Sequence, residues 1–233
     1  MVPNKKLLVL CMVREADNAL TYQTMLNRSN LRAEELLQTV EELVAEGKLR
    51  TFSGDEEKPL EDRRYLTVPE LRNEIVDEIG AALPGLAAGG RMYFVYGAGL
   101  DPGNMYGKWY PESHFICRGC LDGYRLVFER RSGSGEEGVA AIRRSQHNSV
   151  WGAIYYLPPG TVDSPLDDQK GGVKIRVAAK SALGMVCVET TGSVATENLY
   201  PRRSYLDMLL RGGQLFNLPQ QYLRLLAVIP TAD

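Results

Sequence analysis

The stretch with the clearest capacity for chemistry is a strand-like run that breaks directly into a glycine turn. Residues 92–96 are apolar or aromatic, and Gly97, Ala98, Gly99 and Leu100 follow them at once. A glycine turn at the end of a strand leaves backbone N–H groups exposed, and such groups can hold a carboxylate or a developing oxyanion. An ordinary tight turn has the same pattern. The stretch therefore indicates a candidate anion site without specifying a reaction.

The cysteines and histidines give a weaker signal for metal or nucleophilic chemistry. Cys117 and Cys120 have the spacing of one half of a zinc site, but the chain has no second pair. Because this pair falls in a strand-like run, we expect two packed thiols. His114 and His147 stand apart from any motif of a serine or cysteine nucleophile. The sequence therefore predicts no metal and no cofactor.

Six motifs follow one another in a recognisable order between residues 91 and 228. They are strand-like or loop-like runs at residues 93–100, 123–128, 138–142, 150–157, 166–171 and 212–222. In this order they resemble the γ-glutamylcyclotransferase family, which reads in outline YFxYGSNL, GYxLxF, GxAxI, VxGxxYxL, LDxxEG and GLPxxY. The resemblance implies a small mixed β-barrel with flanking helices, and the density of short strand-like runs indicates the same architecture.

The resemblance also implies a reaction. In the family, the α-amine of a γ-glutamyl compound attacks the compound's own γ-carbonyl, which releases an amine and leaves 5-oxoproline. A glutamate moves the proton from the attacking amine to the leaving nitrogen. The glycine turn donates N–H groups to the substrate. By this resemblance the ligand-binding residues are Tyr96, the turn at residues 97–100 and Tyr205, although a tyrosine packed in the core would look the same in sequence.

Two departures from the family put the reaction in doubt. The turn reads Tyr-Gly-Ala-Gly-Leu, so the family's serine and asparagine side chains are missing at Ala98 and Gly99. At the position of the family's catalytic glutamate stands Lys170. The ordinary pKa of lysine is ~10.4, against ~4.3 for glutamate, so Lys170 could serve as a base only if burial lowered its pKa strongly. The alternatives are a surface lysine in a site without activity and a cation that binds an anionic ligand. Asp167 and Asp168 could act as substitute bases, but a turn acid and a solvated loop residue explain them equally well.

Residues 1–83 resemble a winged helix-turn-helix module. Their patterns predict helices at residues 4–16 and 21–29, a third helix capped by Asn30, a hairpin at residues 48–68 and a helix at residues 70–83. Residues 84–90 are rich in small residues and helix breakers and predict a linker. The expected organisation is therefore α+β, with a winged-helix-like module (1–83), a linker (84–90) and a cyclotransferase-like domain (91–233).

The charge of the N-terminal module disfavours nucleic acid. Up to residue 85 the chain carries 16 acidic and 11 basic residues, and the third helix, the usual reader of the major groove, is rich in glutamate. Basic residues in the hairpin keep DNA binding open as an alternative. We expect a protein partner or self-association through this module.

Composition bounds the remaining possibilities. The chain has 233 residues, a formal net charge of −2 and four cysteines, which indicates a soluble protein of a reducing cytoplasm with no membrane segment. The favoured hypothesis is a cyclotransferase-like protein that binds a small anionic or γ-glutamyl ligand without converting it. The alternatives are an active cyclotransferase with a relocated base and a ligand-sensing DNA-binding regulator.

Overall fold

A computed structural model describes residues 4–16, 18–131, 137–161, 172–194 and 199–233. The N-terminal part consists of four helices and three short strands. In chain order they are α1 (Lys5–Glu15), β1 (Leu20–Thr21), α2 (Tyr22–Arg28), α3 (Ala33–Ala45), β2 (Leu49–Thr51), β3 (Arg64–Thr67) and α4 (Arg72–Gly89). The strands form an antiparallel sheet in the order β1-β3-β2.

The order of helices and hairpin follows the sequence prediction, with two corrections. Helix α3 is capped by Arg32 and not by Asn30, because the Glu35 carboxylate accepts the backbone N–H of Arg32 (3.1 Å) and closes the first turn. Helix α4 continues through Pro84 to Gly89, so most of the segment predicted as a linker is helical. Its alanines and leucines favour the helix, and Leu86 is buried. The division into two domains stays a prediction.

The C-terminal part is built on a closed, mixed β-barrel. Its elements are β4 (Arg91–Val95), the one-turn α5 (Pro102–Asn104), β5 (His114–Arg131), β6 (Gly138–Leu157), β7 (Gly172–Ser181), β8 (Gly184–Ser193), α6 (Arg203–Leu215) and α7 (Gln220–Ala227). The strand order is β4-β6-β5-β7-β8, and β8 runs parallel to both β4 and β6 to complete the barrel. The predicted α+β class and barrel are confirmed.

The two longest strands correct the prediction of shorter ones. Residues 115–116 and 124–128 lie in the single strand β5, and residues 139–142 and 150–157 lie in the single strand β6. Gly123 and the polar residues 145–148 lie at a register shift, because Asp122 pairs with Ser149 while Tyr124 pairs with Arg144. A bulge in β5 lies between Phe128 and Arg130.

Helix α1 joins the two parts of the chain. All residues from Leu7 to Val13 are buried, and the helix packs against α3, α4 and β5. At its end the buried Glu15 carboxylate meets two arginines, Arg28 of α2 (3.4 Å) and Arg118 of β5 (3.3 Å). Arg28 also donates to the carbonyl of Leu215 at the end of α6 (2.7 Å). A buried ionic cluster thus connects the N-terminal helices to the barrel and to its C-terminal helices.

None of the helices built from the described residues combines the length and the apolar character that crossing a lipid bilayer requires.

Candidate functional site

A cavity of about 100 Å³ lies where β4 ends against β8 and α6. This volume is well above the roughly 10–15 Å³ that one water molecule needs. Tyr96, Gly97, Ala98, Gly99 and Tyr205, all singled out from the sequence, line it together. Leu100 does not line it. The structure thus brings the predicted turn and the predicted tyrosine of a distant helix to one place.

Leu100, the last residue of the turn, packs against α6 instead of lining the cavity. It is buried, and its carbonyl oxygen would be only 2.5 Å from a Cβ placed on Gly212. The absence of a side chain at Gly212 therefore allows α6 to lie directly against the turn. This close approach brings Tyr205, which is two turns earlier in α6, to the cavity.

The turn itself is a short 3₁₀ segment held by one hydrogen bond within it and by another from a neighbouring side chain. The N–H of Leu100 donates to the Gly97 carbonyl (2.9 Å), and the Asn104 side-chain amide donates to the Ala98 carbonyl (3.0 Å). These bonds satisfy the carbonyl groups of Gly97 and Ala98. The turn therefore has a fixed backbone on which a ligand can be bound.

The turn glycine at position 99 is enforced by packing. A Cβ on Gly99 would lie 2.7 Å from Cγ1 of the buried Val95 and 3.1 Å from Sδ of Met105. The asparagine that the resemblance places here would not fit without movement of these side chains. The departure from the YGSNL pattern therefore has a structural cause in the neighbouring core.

Tyr205 reaches the cavity with its hydroxyl group. The Tyr205 hydroxyl accepts the backbone N–H of Ala140 (3.1 Å), and its ring meets Phe128 edge to face. Burial raises the pKa of Tyr205, and the amides of Ala140 and Ala98 only partly oppose this shift. The hydroxyl is therefore neutral at physiological pH and can act as a hydrogen-bond partner for a ligand.

Tyr96 also lines the cavity, with its hydroxyl donating to the Thr191 carbonyl of β8. Burial raises the pKa of Tyr96 well above its ordinary value of about 10, while Arg130 opposes the shift. Neither tyrosine is therefore a base at neutral pH.

Arg130 is a lining residue that the sequence analysis missed. Its side chain is almost fully buried, at 3% exposure, and contributes a positive charge to the cavity wall. The bulge between Phe128 and Arg130 changes the register of β5 at this point and so determines which of the neighbouring charged residues faces inward. A bulge of this kind has no reliable signal in a run such as Glu129-Arg130-Arg131.

The described part of the cavity wall contains no carboxylate. Its polar side chains come from Arg130, three tyrosines, Trp109, Thr190 and Thr191. Lys170, Asp167 and Asp168 lie outside the described residues, so their predicted roles stay predictions.

No protein-family model matches the chain, and no curated protein matches it. Solved structures do match. A protein named γ-glutamyl cyclotransferase has 24% sequence identity and a TM-score of 0.56, with 61% of this chain and 89% of that chain covered. An uncharacterised protein from Homo sapiens has 24% sequence identity and a TM-score of 0.57, with 62% of this chain and 90% of that chain covered. YkqA from Bacillus subtilis has 15% sequence identity and a TM-score of 0.49, with 84% of this chain and 77% of that chain covered.

The barrel has the γ-glutamylcyclotransferase-like fold. At 24% identity the likeness to the two better-matching structures shows the fold alone. The fold predicted from the six motifs is therefore confirmed, while the activity, the site residues and the winged-helix character of residues 1–83 stay predictions.

The predicted pair Cys117 and Cys120 consists of packed thiols. Cys117 and Cys120 are both buried and free, and burial raises the pKa of the Cys117 thiol and raises that of Cys120 to about 11. Both are therefore protonated and weakly nucleophilic at neutral pH. Among the described residues, no group of three or more His, Cys, Asp or Glu side chains is arranged to hold a metal ion.

Proposed function

We propose that the barrel cavity binds a small carboxylate ligand of the γ-glutamyl type and does not convert it. The observation that carries the proposal is the composition of the described cavity wall, whose lining residues include the buried Arg130 and neutral tyrosines but no Asp or Glu. The sequence supports it independently, since Lys170 stands at the position of the glutamate in the resembled family.

The chemistry of cyclisation explains why this wall favours binding over turnover. The attacking amine must lose a proton and the leaving nitrogen must gain one, which requires a group that changes protonation near neutral pH. A guanidinium stays protonated, and tyrosines with raised pKa stay neutral. These groups can hold and orient a ligand, but they cannot exchange its proton.

The same groups determine the class of ligand. Arg130 can form a charge-assisted pair with a carboxylate, and the hydroxyl of Tyr205 can exchange hydrogen bonds with it. The aromatic surfaces of Tyr93 and Trp109 complete the wall and suit the aliphatic chain of a γ-glutamyl group. A small, anionic and partly apolar compound satisfies all three features.

Calorimetric titration with glutathione and with γ-glutamyl-lysine tests the proposal. We expect saturable binding by the wild-type protein and a peptide that is recovered intact. Arg130→Gln should weaken binding about tenfold or more, since hydrogen bonds to charged groups contribute about 1.5–3 kcal/mol. Tyr205→Phe should also weaken it. Arg131→Gln is the matched control, because Arg131 is the exposed neighbour of Arg130 on the same strand.

Two outcomes would overturn the proposal. The first is the absence of saturable binding by a wild-type protein that is folded by circular dichroism. The second is equal binding by Arg130→Gln, Arg131→Gln and the wild-type protein.

We further propose that residues 1–83 form a winged-helix-like contact module for a protein partner. The element order and the β1-β3-β2 sheet support this assignment. The acidic residues of α3 are partly used within the module, since Lys5 pairs with Glu35 (2.7 Å) and Lys6 with Glu46 (2.6 Å). The remaining glutamates of the α3 surface disfavour a DNA backbone.

Light scattering and a DNA mobility shift at low salt separate the roles of this module. We expect self-association or partner binding with no shift of duplex DNA. A shift that weakens with added salt would favour the DNA-binding regulator instead.

A further inference from the structure

A second cleft lies in the N-terminal part of the chain, away from the barrel cavity. It has a volume of about 160 Å³ and lies between the end of α1 and the junction of β3 with α4. Its polar wall is formed by Arg14, Asn18, Thr67 and Arg72. Two arginines from distant parts of the chain therefore face one small space.

Arg14 has an unusual environment for an arginine. Its Nε atom is buried and has no hydrogen-bond partner among the residues that the structure describes. Buried donors are normally paired, and this donor is available to a bound water or ion. The pKa of Arg14 is lowered, first by burial and then by the charge of Arg72. The two guanidinium groups therefore repel each other across the cleft.

The amino end of helix α4 adds to the positive potential of the cleft. Arg72, the first residue of the eighteen-residue helix α4, and Pro69, in the 3₁₀ turn before it, contribute to the wall, and no side chain caps the helix. The amino end of a helix carries a partial positive charge. Glu70, next to Pro69, is exposed. Among the described residues, no ion pair to Arg14 or Arg72 balances the cleft.

We propose that the Arg14–Arg72 cleft is a binding site for the phosphate group of a small phosphorylated compound. A tetrahedral dianion has enough acceptor oxygens to engage Arg14 Nε, the Arg72 guanidinium and the amide or hydroxyl donors of Asn18 and Thr67 at once. A carboxylate has only two oxygens and a single charge, so it would leave part of this donor set unused.

The site is independent of the proposed function of the barrel, but its position gives it a physical connection to the barrel. Arg14 immediately precedes Glu15, which pairs with Arg28 and with Arg118 of β5. A ligand on Arg14 would therefore bind to the last turn of the helix that joins the two parts of the chain.

Phosphorus NMR and calorimetric titration at low ionic strength test the site with inorganic phosphate as the probe. We expect saturable 1:1 binding by the full chain and a raised melting temperature in phosphate. Arg14→Gln and Arg72→Gln should each weaken binding about tenfold or more, because each removes a charge-assisted hydrogen bond. Arg72 is exposed, so its variant should fold even if Arg14→Gln does not. Arg50→Gln, at an exposed arginine of β2, is the matched control.

Comparison ligands and one further variant sharpen the result. Acetate should bind at least tenfold more weakly than phosphate. Asp17 precedes the lining residue Asn18 in the sequence and lies outside the described residues. The variant Asp17→Asn should leave the affinity for phosphate unchanged or increase it. The proposal is overturned if phosphate does not saturate, if Arg72→Gln binds like the wild type, or if Asp17→Asn abolishes binding. Binding of duplex DNA without binding of free phosphate would also overturn it and assign the arginines to a nucleic-acid surface.

Discussion

At the scale of single residues, the candidate site combines positions that the sequence predicts with one that it does not. Tyr96 and Tyr205 are 109 positions apart in the printed sequence, yet both line the same cavity. Their pairing could be expected only from the resemblance to a family of known fold. Arg130 could not be predicted, because its inward direction depends on a bulge that arises from strand pairing.

The glycine at position 99 allows a direct test of the packing at the turn. Gly99→Asn should lower the free energy of unfolding by about 1–3 kcal/mol, since the new side chain meets Val95 and Met105 in a filled core. Ala98→Ser restores the other residue of the family's pattern, at the less buried position of the turn. This variant should change the free energy of unfolding by less than about 0.5 kcal/mol. Urea unfolding measures both. Equal stability of the two variants would contradict the account of the turn.

At the scale of elements, periodicity predicts most helices and strands but not their partners. The helices α1, α3, α6 and α7 and the strand β4 follow the apolar patterns of the sequence closely. The lengths of β5 and β6 were not predicted, because both strands continue past the largely exposed polar residues 145–149, where the pairing resumes only after a register shift. The ionic cluster around Glu15 likewise depends on tertiary contacts that local sequence does not encode.

The Glu15 cluster should be a major determinant of how the elements are held together. Glu15→Gln leaves Arg28 and, in part, Arg118 as buried charges without their carboxylate, and breaking a buried ion pair from one side costs about 3–5 kcal/mol. We expect a loss of that size in urea unfolding. Glu34→Gln, on the exposed face of α3, is the control and should change stability by less than about 0.5 kcal/mol. An unchanged unfolding midpoint for Glu15→Gln would show that the cluster is not stabilising.

At the scale of the whole molecule, the predicted barrel is confirmed and the predicted division into two domains stays a prediction. Small residues at positions 84–90 suggest a linker by composition, but alanine and leucine also favour helices, and α4 continues to Gly89. Buried side chains form one continuous core from α1 to α7. Composition could not reveal this continuity, because it depends on how α1 packs against β5.

The buried tyrosines of this core predict a loss of stability at alkaline pH. Burial raises the pKa of Tyr96, Tyr155 and Tyr222 above the ordinary value of about 10. The folded protein therefore keeps these protons when the unfolded chain has lost them. The stabilisation is complete below pH 10 and declines above it, by about 1.4 kcal/mol per pH unit for each such group.

Urea unfolding at several pH values measures this effect. The unfolding midpoint should fall between pH 10 and pH 11, and tyrosinate absorbance at 295 nm should rise together with unfolding. If tyrosinate formed fully at pH 10.5 while the protein remained folded, the hydroxyl groups would not be buried as described.

The release of 5-oxoproline from γ-glutamyl peptides is the most direct test of the central claim that the cavity binds without turnover. Pure wild-type protein incubated with glutathione or γ-glutamyl-lysine should give no more 5-oxoproline than a protein-free sample, and Lys170→Glu should give at least as much as the wild type. Release by the wild type at an ordinary enzymatic rate, on the order of 1 s⁻¹ or faster, that falls when Lys170 is replaced by glutamate would contradict the account and establish an active cyclotransferase with a different base.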